Sequence, residues 1–404
     1  MNFEVPHWGL CIFWLIWVGQ SLWCMRNAYM FRRFMRGQGK REDGKQIVYE
    51  PSAAIIIPVK GADDRLLRNI HGVRSQAYPK YRVVFVVQSE TDPAHAAIQA
   101  AMAEDGDESV PVELLVAGSA EVGGQKVHNL LRGLDAVRDD DEVVVFADAD
   151  AVPDDQWLRR LITPLLKERV GVTTGYRWLI PEDDALASKV GSVINASVAT
   201  LMGPDRYNHA WGGSMAIQRK TLEACNLREH WQGALSDDYQ MTRAIKVLKL
   251  RVYFVGRCLV ASPVRFTWGS LFEFGVRQYR ITRVYSPGIW LIALFAMSLS
   301  VGGWLISAGA LAMGIGWALP AMMLVSFFDT CRAKLRRSVV GEIFGRKVVD
   351  KLRGTLDFEK YSTTFWMMIH LLFILISSVG SKLTWSRITY HMPSRQGVKV
   401  ISRG

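Results

Sequence analysis

Asp148 and Asp150 close the stretch VVVFADAD, residues 143–150, in which an apolar run leads straight into two alternating carboxylates. The run reads as a short buried strand. In an extended chain positions i and i+2 face the same side, so both carboxylates are expected together at the mouth of a sheet. Two carboxylates so placed repel unless a proton or a cation joins them. A hard divalent ion, Mg²⁺ or Mn²⁺, suits them, and such ions commonly arrive with phosphates. The alternative is a solvated acidic loop, because Asp139 to Glu142 are acidic too.

Other residues share that chemistry. Lys60 ends PVK, Glu90 and Asp92 lie in SETDPA, and Lys126 lies in GGQKVHN. Gly123 and Gly124 let backbone amides approach an anion at a helix start, although a lone Lys there also reads as a surface residue. Asp92 before Pro93 serves equally as a helix cap or a ligand. In WGGSMAIQRK, Trp211, Gly212 and Gly213 precede an apolar run, where a backbone can lie close under a ligand. Asp237 and Asp238 head an amphipathic helix in ALSDDYQMTRAI, with Ser236 as the competing cap reading. Arg277, Arg280 and Arg283 fall i, i+3, i+6 on one helix stripe, shaped for lipid headgroups or for a diphosphate.

The elements that must position these residues alternate in type. From Ser52 to Leu259, AAIIIPV, RVVFVVQ, VELLV, VVVFA and VGVTTG read as strands with helical stretches between them. That alternation predicts an α/β fold, a mostly parallel sheet flanked by helices, with ligands at the carboxyl ends of the strands. Lys60, Glu90, Asp92, Lys126, Asp148 and Asp150 all fall at that edge.

The rest of the 404 residues is membrane-like. Half the residues are hydrophobic and 14 are Trp. Trp8 to Met25 is long enough to cross a bilayer, which takes ~20 residues. It lacks the basic lead and small-residue cleavage site of a signal peptide. Gly288 to Phe328 has length for two spans, with Gly302, Gly303 and Pro320 as breaks, and Thr363 to Gly380 is a third block. The formal charge of +11 concentrates beside these blocks, at Arg26, Arg32, Arg33, Arg36, Lys40 and Arg41 and again from Arg332 to Arg353. Anionic phospholipid explains such flanking clusters better than nucleic acid does. The positive-inside rule puts the short N-terminus outside and the following domain in the cytoplasm. Four spans would then place the C-terminus outside, against the charges of Lys382, Arg387, Arg395, Lys399 and Arg403. Either 363–380 is re-entrant or interfacial, or the 288–328 block crosses once. Five scattered cysteines form no CxxC pair or disulfide framework.

Together PVKG, ETDPA, GQKVHN, DAD, SDDYQ and RQYRI resemble, in order, the motifs of inverting membrane-bound glycosyltransferases of the ceramide glucosyltransferase type. The resemblance covers the chain to about Pro287. It implies a glycosyltransferase-A-like fold plus transmembrane and interfacial helices. The implied layout is a transmembrane anchor over 1–31, a basic linker over 32–51 and a cytoplasmic catalytic domain over 52–265. An interfacial helix with RQYRI (266–287), a membrane region (288–380) and a basic tail (381–404) follow. It implies a UDP-sugar donor bound by Lys60, Glu90, Asp92, Lys126, Asp148, Asp150, Arg277 and Arg280, and metal on Asp148 and Asp150. Asp238 is the implied base, and Trp211, Gly212, Gly213 and Asp237 lie on the acceptor side. The implied reaction adds one sugar, taken as glucose, to a ceramide-like lipid with inversion, in a bacterial inner membrane rather than the Golgi. Ile281 departs from the family's (Q/R)xxRW pattern, where processive relatives keep a Trp for the acceptor. Hopanoid or diacylglycerol acceptors and a processive polysaccharide synthase are the alternatives. The apolar Ala185 to Pro204 stretch is expected as an interfacial or a core helix. A haloacid-dehalogenase phosphatase also matches VVVFADADAV, but three strand–helix units precede it and SDDYQ lacks that family's later metal motif.

Overall fold

A computed structural model describes residues 8–42, 49–103, 110–204 and 208–403. The N-terminus expected outside the membrane, residues 1–7, falls outside the described residues, as does part of the expected basic linker. In chain order the elements are α1 (Trp8–Glu42), β1 (Ala53–Val59), α2 (Asp64–Arg74), β2 (Tyr81–Val87), α3 (Pro93–Ala103), β3 (Val112–Val116), α4 (Gln125–Leu134) and β4 (Val143–Ala147). Next come α5 (Trp157–Ile162), β5 (Val170–Pro181), α6 (Leu186–Ala199), β6 (Ser214–Gln218), α7 (Arg219–Ala224), α8 (Leu227–Trp231), α9 (Asp237–Val247) and β7 (Arg251–Val264). The remainder is α10 (Trp268–Tyr285), α11 (Pro287–Ala312), α12 (Ala318–Phe344), α13 (Arg346–Lys351), α14 (Arg353–Tyr361), α15 (Thr363–Ser377), β8 (Lys382–Trp385), β9 (Ile388–His391) and β10 (Lys399–Arg403). Two compact units result: an α/β unit of 37–178, 202–262 and 381–404, and a helical unit of 1–36, 179–201 and 263–380.

The α/β unit is built on a seven-stranded sheet ordered β3-β2-β1-β4-β6-β5-β7. β1 pairs in parallel with β2 and β4, and β2 with β3. β6 runs antiparallel to both β4 and β5, so the sheet is mixed rather than uniformly wound. Continuous apolar strands fit a sheet covered on both faces. Ile55, Ile57, Phe85 and Val145 face one core with Trp157, and Ile56, Val84, Val144 and Phe146 face the other with Trp231. Arg82 on β2 is buried and paired with Asp141, Nε to Oδ1 at 3.1 Å. The basic stretch 381–404 is more than a charged tail: it folds as a three-stranded sheet, β10-β9-β8.

The helical unit corrects several span boundaries. α1 continues past residue 31 through the basic segment as one helix. α11 runs unbroken through Gly302 and Gly303, because Gly303 is where Trp17 packs: an added Cβ would meet its ring at 2.2 Å. The break comes instead at Gly314 (φ 81°), and Pro320 sits in the first turn of α12, where its missing N–H costs nothing. By length and composition Trp8–Gln38 and Pro287–Ala312 can each cross a membrane. The pair α14 and α15, bent by 88°, makes a third if it is one span. α6 is a core helix of this unit, with Val190, Val193 and Ile194 packed beside Leu271 and Trp366.

The basic clusters also find protein partners. Arg32 and Arg36 both reach Glu342, at 2.9 and 2.7 Å. Arg332 and Arg336, expected on lipid headgroups, are only 3% and 5% exposed. Arg332 pairs with Asp329 (3.1 Å) and Arg336 with Glu359 on α14 (2.6 Å). Ser21 of α1 donates to Asp329 at 3.2 Å.

Candidate active site

The site residues of the α/β unit start where its parallel strands end. β4 ends at Ala147, and the Asp148 N–H still donates to the Gly213 carbonyl (3.3 Å) opposite it. The chain does not stay extended, as the simple alternation requires. Ala151 N–H bonds back to the Asp148 carbonyl (3.1 Å), closing a turn over Asp148–Ala151. Asn69 of α2 pins that turn by donating to the carbonyls of Asp148 and Ala151. The two carboxylates nonetheless interact: burial and then the Asp148 charge push the Asp150 carboxyl above its ordinary range, against the pull of Arg177, Arg65 and Lys126.

Lys126 lies in the first turn of α4, behind a Gly124 cap that offers no side chain. Its Nζ stands 2.7 Å from Asp148 Oδ1 and 3.1 Å from Asp237 Oδ2. Burial opposes the ammonium charge, but the Asp148 and Asp237 carboxylates outweigh it and hold Lys126 protonated. Asp237 is 3% exposed, and burial pushes its carboxyl up to about 6 despite Lys126. Asp237 Oδ2 meets Lys126 as an ion pair.

Glycine makes this cluster possible. A Cβ at Gly212 would fall 1.9 Å from Asp237 Oδ2 and 2.8 Å from Lys126 Nζ. At Gly124 the close neighbour is Leu235, 2.8 Å from an added Cβ, so packing against the 233–236 loop also demands that glycine. Trp211 is buried beside Tyr176, Ala151 and Val260.

Asp238 is half-buried in the first turn of α9. Its Oδ1 accepts from the Tyr239 N–H (2.7 Å) and from the Ser236 hydroxyl. Ser236 is the helix cap, receiving Tyr239 N–H at 3.2 Å, so the capping reading holds for Ser236 while both carboxylates sit inside the helix. Asp92 caps α3 through Ala94 N–H (2.9 Å) and also receives Gly61 N–H (2.8 Å). Lys60 donates to the Ser386 carbonyl of the β8–β9 turn at 2.7 Å. Glu90 is exposed in the loop after β2.

Arg277 and Arg280 belong to the helical unit. Arg277 lies over the Phe274 ring, and Arg280 donates to the Val379 carbonyl at 3.2 Å. Arg283 donates to the carbonyls of Ser378 and Gly380. Arg280 and Arg283 therefore bind the open carbonyl end of α15, a helix terminus that favours cations. Ile281 is buried.

Arg177, Asn69, Tyr390 and Arg403 carry no motif and are missed by sequence reading. Among the described residues no group of three or more His, Cys, Asp or Glu is gathered to hold a metal alone. Asp148 and Asp150 fit a divalent ion in another way, as two crowded carboxylates that phosphate oxygens can complete.

A family model described as Glycosyl transferase family 21 matches residues 12–349. Among solved structures, a mannosyltransferase from Pyrobaculum calidifontis in complex with GDP-Man and Mn²⁺ is 14% identical, with a TM-score of 0.47 over 90% of this chain and 97% of that one. GalNAc-T7 with UDP, GalNAc and Mn²⁺ is 15% identical, with a TM-score of 0.41 over 61% and 51%. Glucosyl-3-phosphoglycerate synthase from Mycobacterium tuberculosis with UDP is 13% identical, with a TM-score of 0.38 over 58% and 79%.

Proposed function

Because the chain belongs to glycosyl transferase family 21, we propose that it transfers one hexose, taken as glucose, from a UDP-sugar to a hydroxyl of a ceramide-type membrane lipid, with inversion. The observation that carries this reading is the cluster of half-buried Lys126 and Asp148 with buried Asp237, beside Asp150, at the carboxyl edge of the sheet. Such a cluster keeps a cation and carboxylates ready where a diphosphate can exchange partners with them.

In the proposed reaction the acceptor oxygen bonds to the anomeric carbon as the bond from that carbon to the β-phosphate oxygen breaks. Asp238 takes the hydroxyl proton. It is the more accessible of the acidic pair. Asp237, sealed against Lys126, holds that lysine in place. The departing UDP gains negative charge, which Lys126 receives. Asp148 and Asp150 would hold Mg²⁺ or Mn²⁺, which supplies neutralisation of the diphosphate. A single displacement turns an α-linked donor into a β-glycoside and needs no carboxylate nucleophile. Arg26, Arg32, Arg33 and Arg36, in the second half of α1, support a cytoplasmic α/β unit, and a bacterial inner membrane is the proposed setting.

The test is purified protein given a panel of UDP-sugars and lipid acceptors, with products read by mass spectrometry. UDP-glucose and ceramide should give a product one hexose heavier than the lipid. Asp238→Asn should lower turnover ~10²-fold or more while donor affinity stays near wild type. Retained turnover with collapsed donor affinity would remove Asp238 from the base role.

A further inference from the structure

The three-stranded C-terminal sheet lies beyond the part of the chain that the family model matches, yet it grips both loops that lead into the charged cluster. On the Lys126 side, Val122 forms an antiparallel bridge with Lys399, and Gly123 N–H donates to the Val398 carbonyl at 2.9 Å. Gln125 N–H donates to the Tyr390 hydroxyl at 3.2 Å, and Arg403 donates to Gln125 Oε1 at 3.2 Å and to the Ala120 carbonyl. On the Asp237 side, Val398 N–H donates to the Gly233 carbonyl at 3.2 Å. The approach there is tight enough that a Cβ at Gly233 would meet the Gln396 carbonyl at 2.2 Å.

These contacts answer a local need. The first N–H groups of a helix have no partner within it, and Gly124 at the cap of α4 has no side chain to provide one. The Tyr390 phenol, 2% exposed, supplies the missing acceptor to Gln125, the residue before Lys126. The Gln125 side chain then ties the loop internally, accepting from Ala120 N–H (2.9 Å) and donating to the Gly118 carbonyl (2.8 Å).

We infer that the C-terminal sheet is a brace for the donor site, and that Tyr390 and Arg403 are positioning residues that set Lys126 through Gln125. The inference rests on the reading of Lys126 as a diphosphate ligand. Neither residue touches the reacting atoms in this scheme. Their loss should weaken donor binding while leaving the acceptor's KM alone, whereas a purely structural role would lower the folded fraction and leave the affinity of folded molecules unchanged.

The experiment is calorimetric titration of UDP, with Mg²⁺ present, into full-length Tyr390→Phe, Arg403→Met and Lys126→Met proteins, beside the acceptor KM of the first two. Arg403 is exposed, so its replacement folds even if Tyr390→Phe does not. The expected result is a UDP Kd raised about tenfold in both brace variants, the scale of one hydrogen bond to a buried donor, with acceptor KM within about twofold of wild type. Weakened UDP binding in Lys126→Met with wild-type binding in the brace variants would overturn the brace. Wild-type UDP binding in Lys126→Met would instead overturn the reading of Lys126, and the brace with it.

Discussion

Gly212→Ala adds one methyl group at the most crowded point of the charged cluster. The new Cβ would lie 1.9 Å from Asp237 Oδ2, 2.8 Å from Asp237 Cγ and 2.8 Å from Lys126 Nζ. Ordinary contact between heavy atoms begins near ~3.5 Å, so the carboxylate must retreat by roughly 1.5 Å or the backbone must shift. Asp237 has little freedom to retreat. It is 3% exposed, and its carbonyl receives the Trp231 indole N–H at 2.9 Å. Overpacking of this kind costs about 1–3 kcal/mol of stability. A displacement of ~1 Å in a catalytic arrangement costs on the order of 10²-fold in rate. The assay is turnover with UDP-glucose and ceramide in micelles, with thermal unfolding measured on the same samples. Gly203→Ala is the control, since nothing lies within 4 Å of its added Cβ, and it should behave as wild type. Wild-type turnover in Gly212→Ala would refute the argument that this glycine exists to admit Lys126 and Asp237.

EDTA should abolish transfer, and Mg²⁺ or Mn²⁺ should restore it; full activity in chelator removes the metal role of Asp148 and Asp150. With excess UDP-sugar the product should gain one hexose only, Ile281 offering no aromatic platform, and a ladder of hexose masses would favour a processive synthase instead. Arg82→Met leaves the buried Asp141 carboxylate without its cationic partner, and should cost about 3–5 kcal/mol, read as a fall in unfolding temperature that adding Asp141→Asn partly reverses; an unchanged unfolding temperature would sink it. Burial, with Lys246 nearby, lowers the His209 pKa to about 4, below the ordinary 6.5. The unfolded chain therefore binds more protons between those values, and stability falls as pH drops through that window. Between pH 7 and pH 5 the wild type should lose about 2 kcal/mol more than His209→Phe does, and equal losses would refute the assignment.

The first half of the sheet was legible because apolar strands alternate with helical stretches, and such units wind in parallel. The reversal of β6 was not, since SMAIQ carries no mark of direction and depends on its register against β4. Asp148 and Asp150 were legible as a pair, but their geometry was not, because the Ala151 N–H closes a turn between them and Asn69 holds it. Spacing revealed the arginine stripe, whereas its carbonyl partners near 378–380 lie almost a hundred residues away. The C-terminal strands are four or five residues long and joined at Ser386–Arg387, a turn with positive φ that lacks the usual Gly or Asn. Periodicity and turn chemistry both fail to announce them.

The paired charges of α12 bear on how the chain is made. Asp329, Arg332 and Arg336 are buried on a helix that is not among the spans named above, and burying them unpaired is costly. Arg336 gains its counter-charge only from Glu359, which is synthesised 23 residues later. Asp329 meets Ser21, from α1, made 308 residues earlier. Docking of α12 within the helical unit is thus expected to be late and cooperative, with α1 waiting and α14 already translated. A ribosome stalled just after α13 should leave α12 unsettled and open to quality-control proteases.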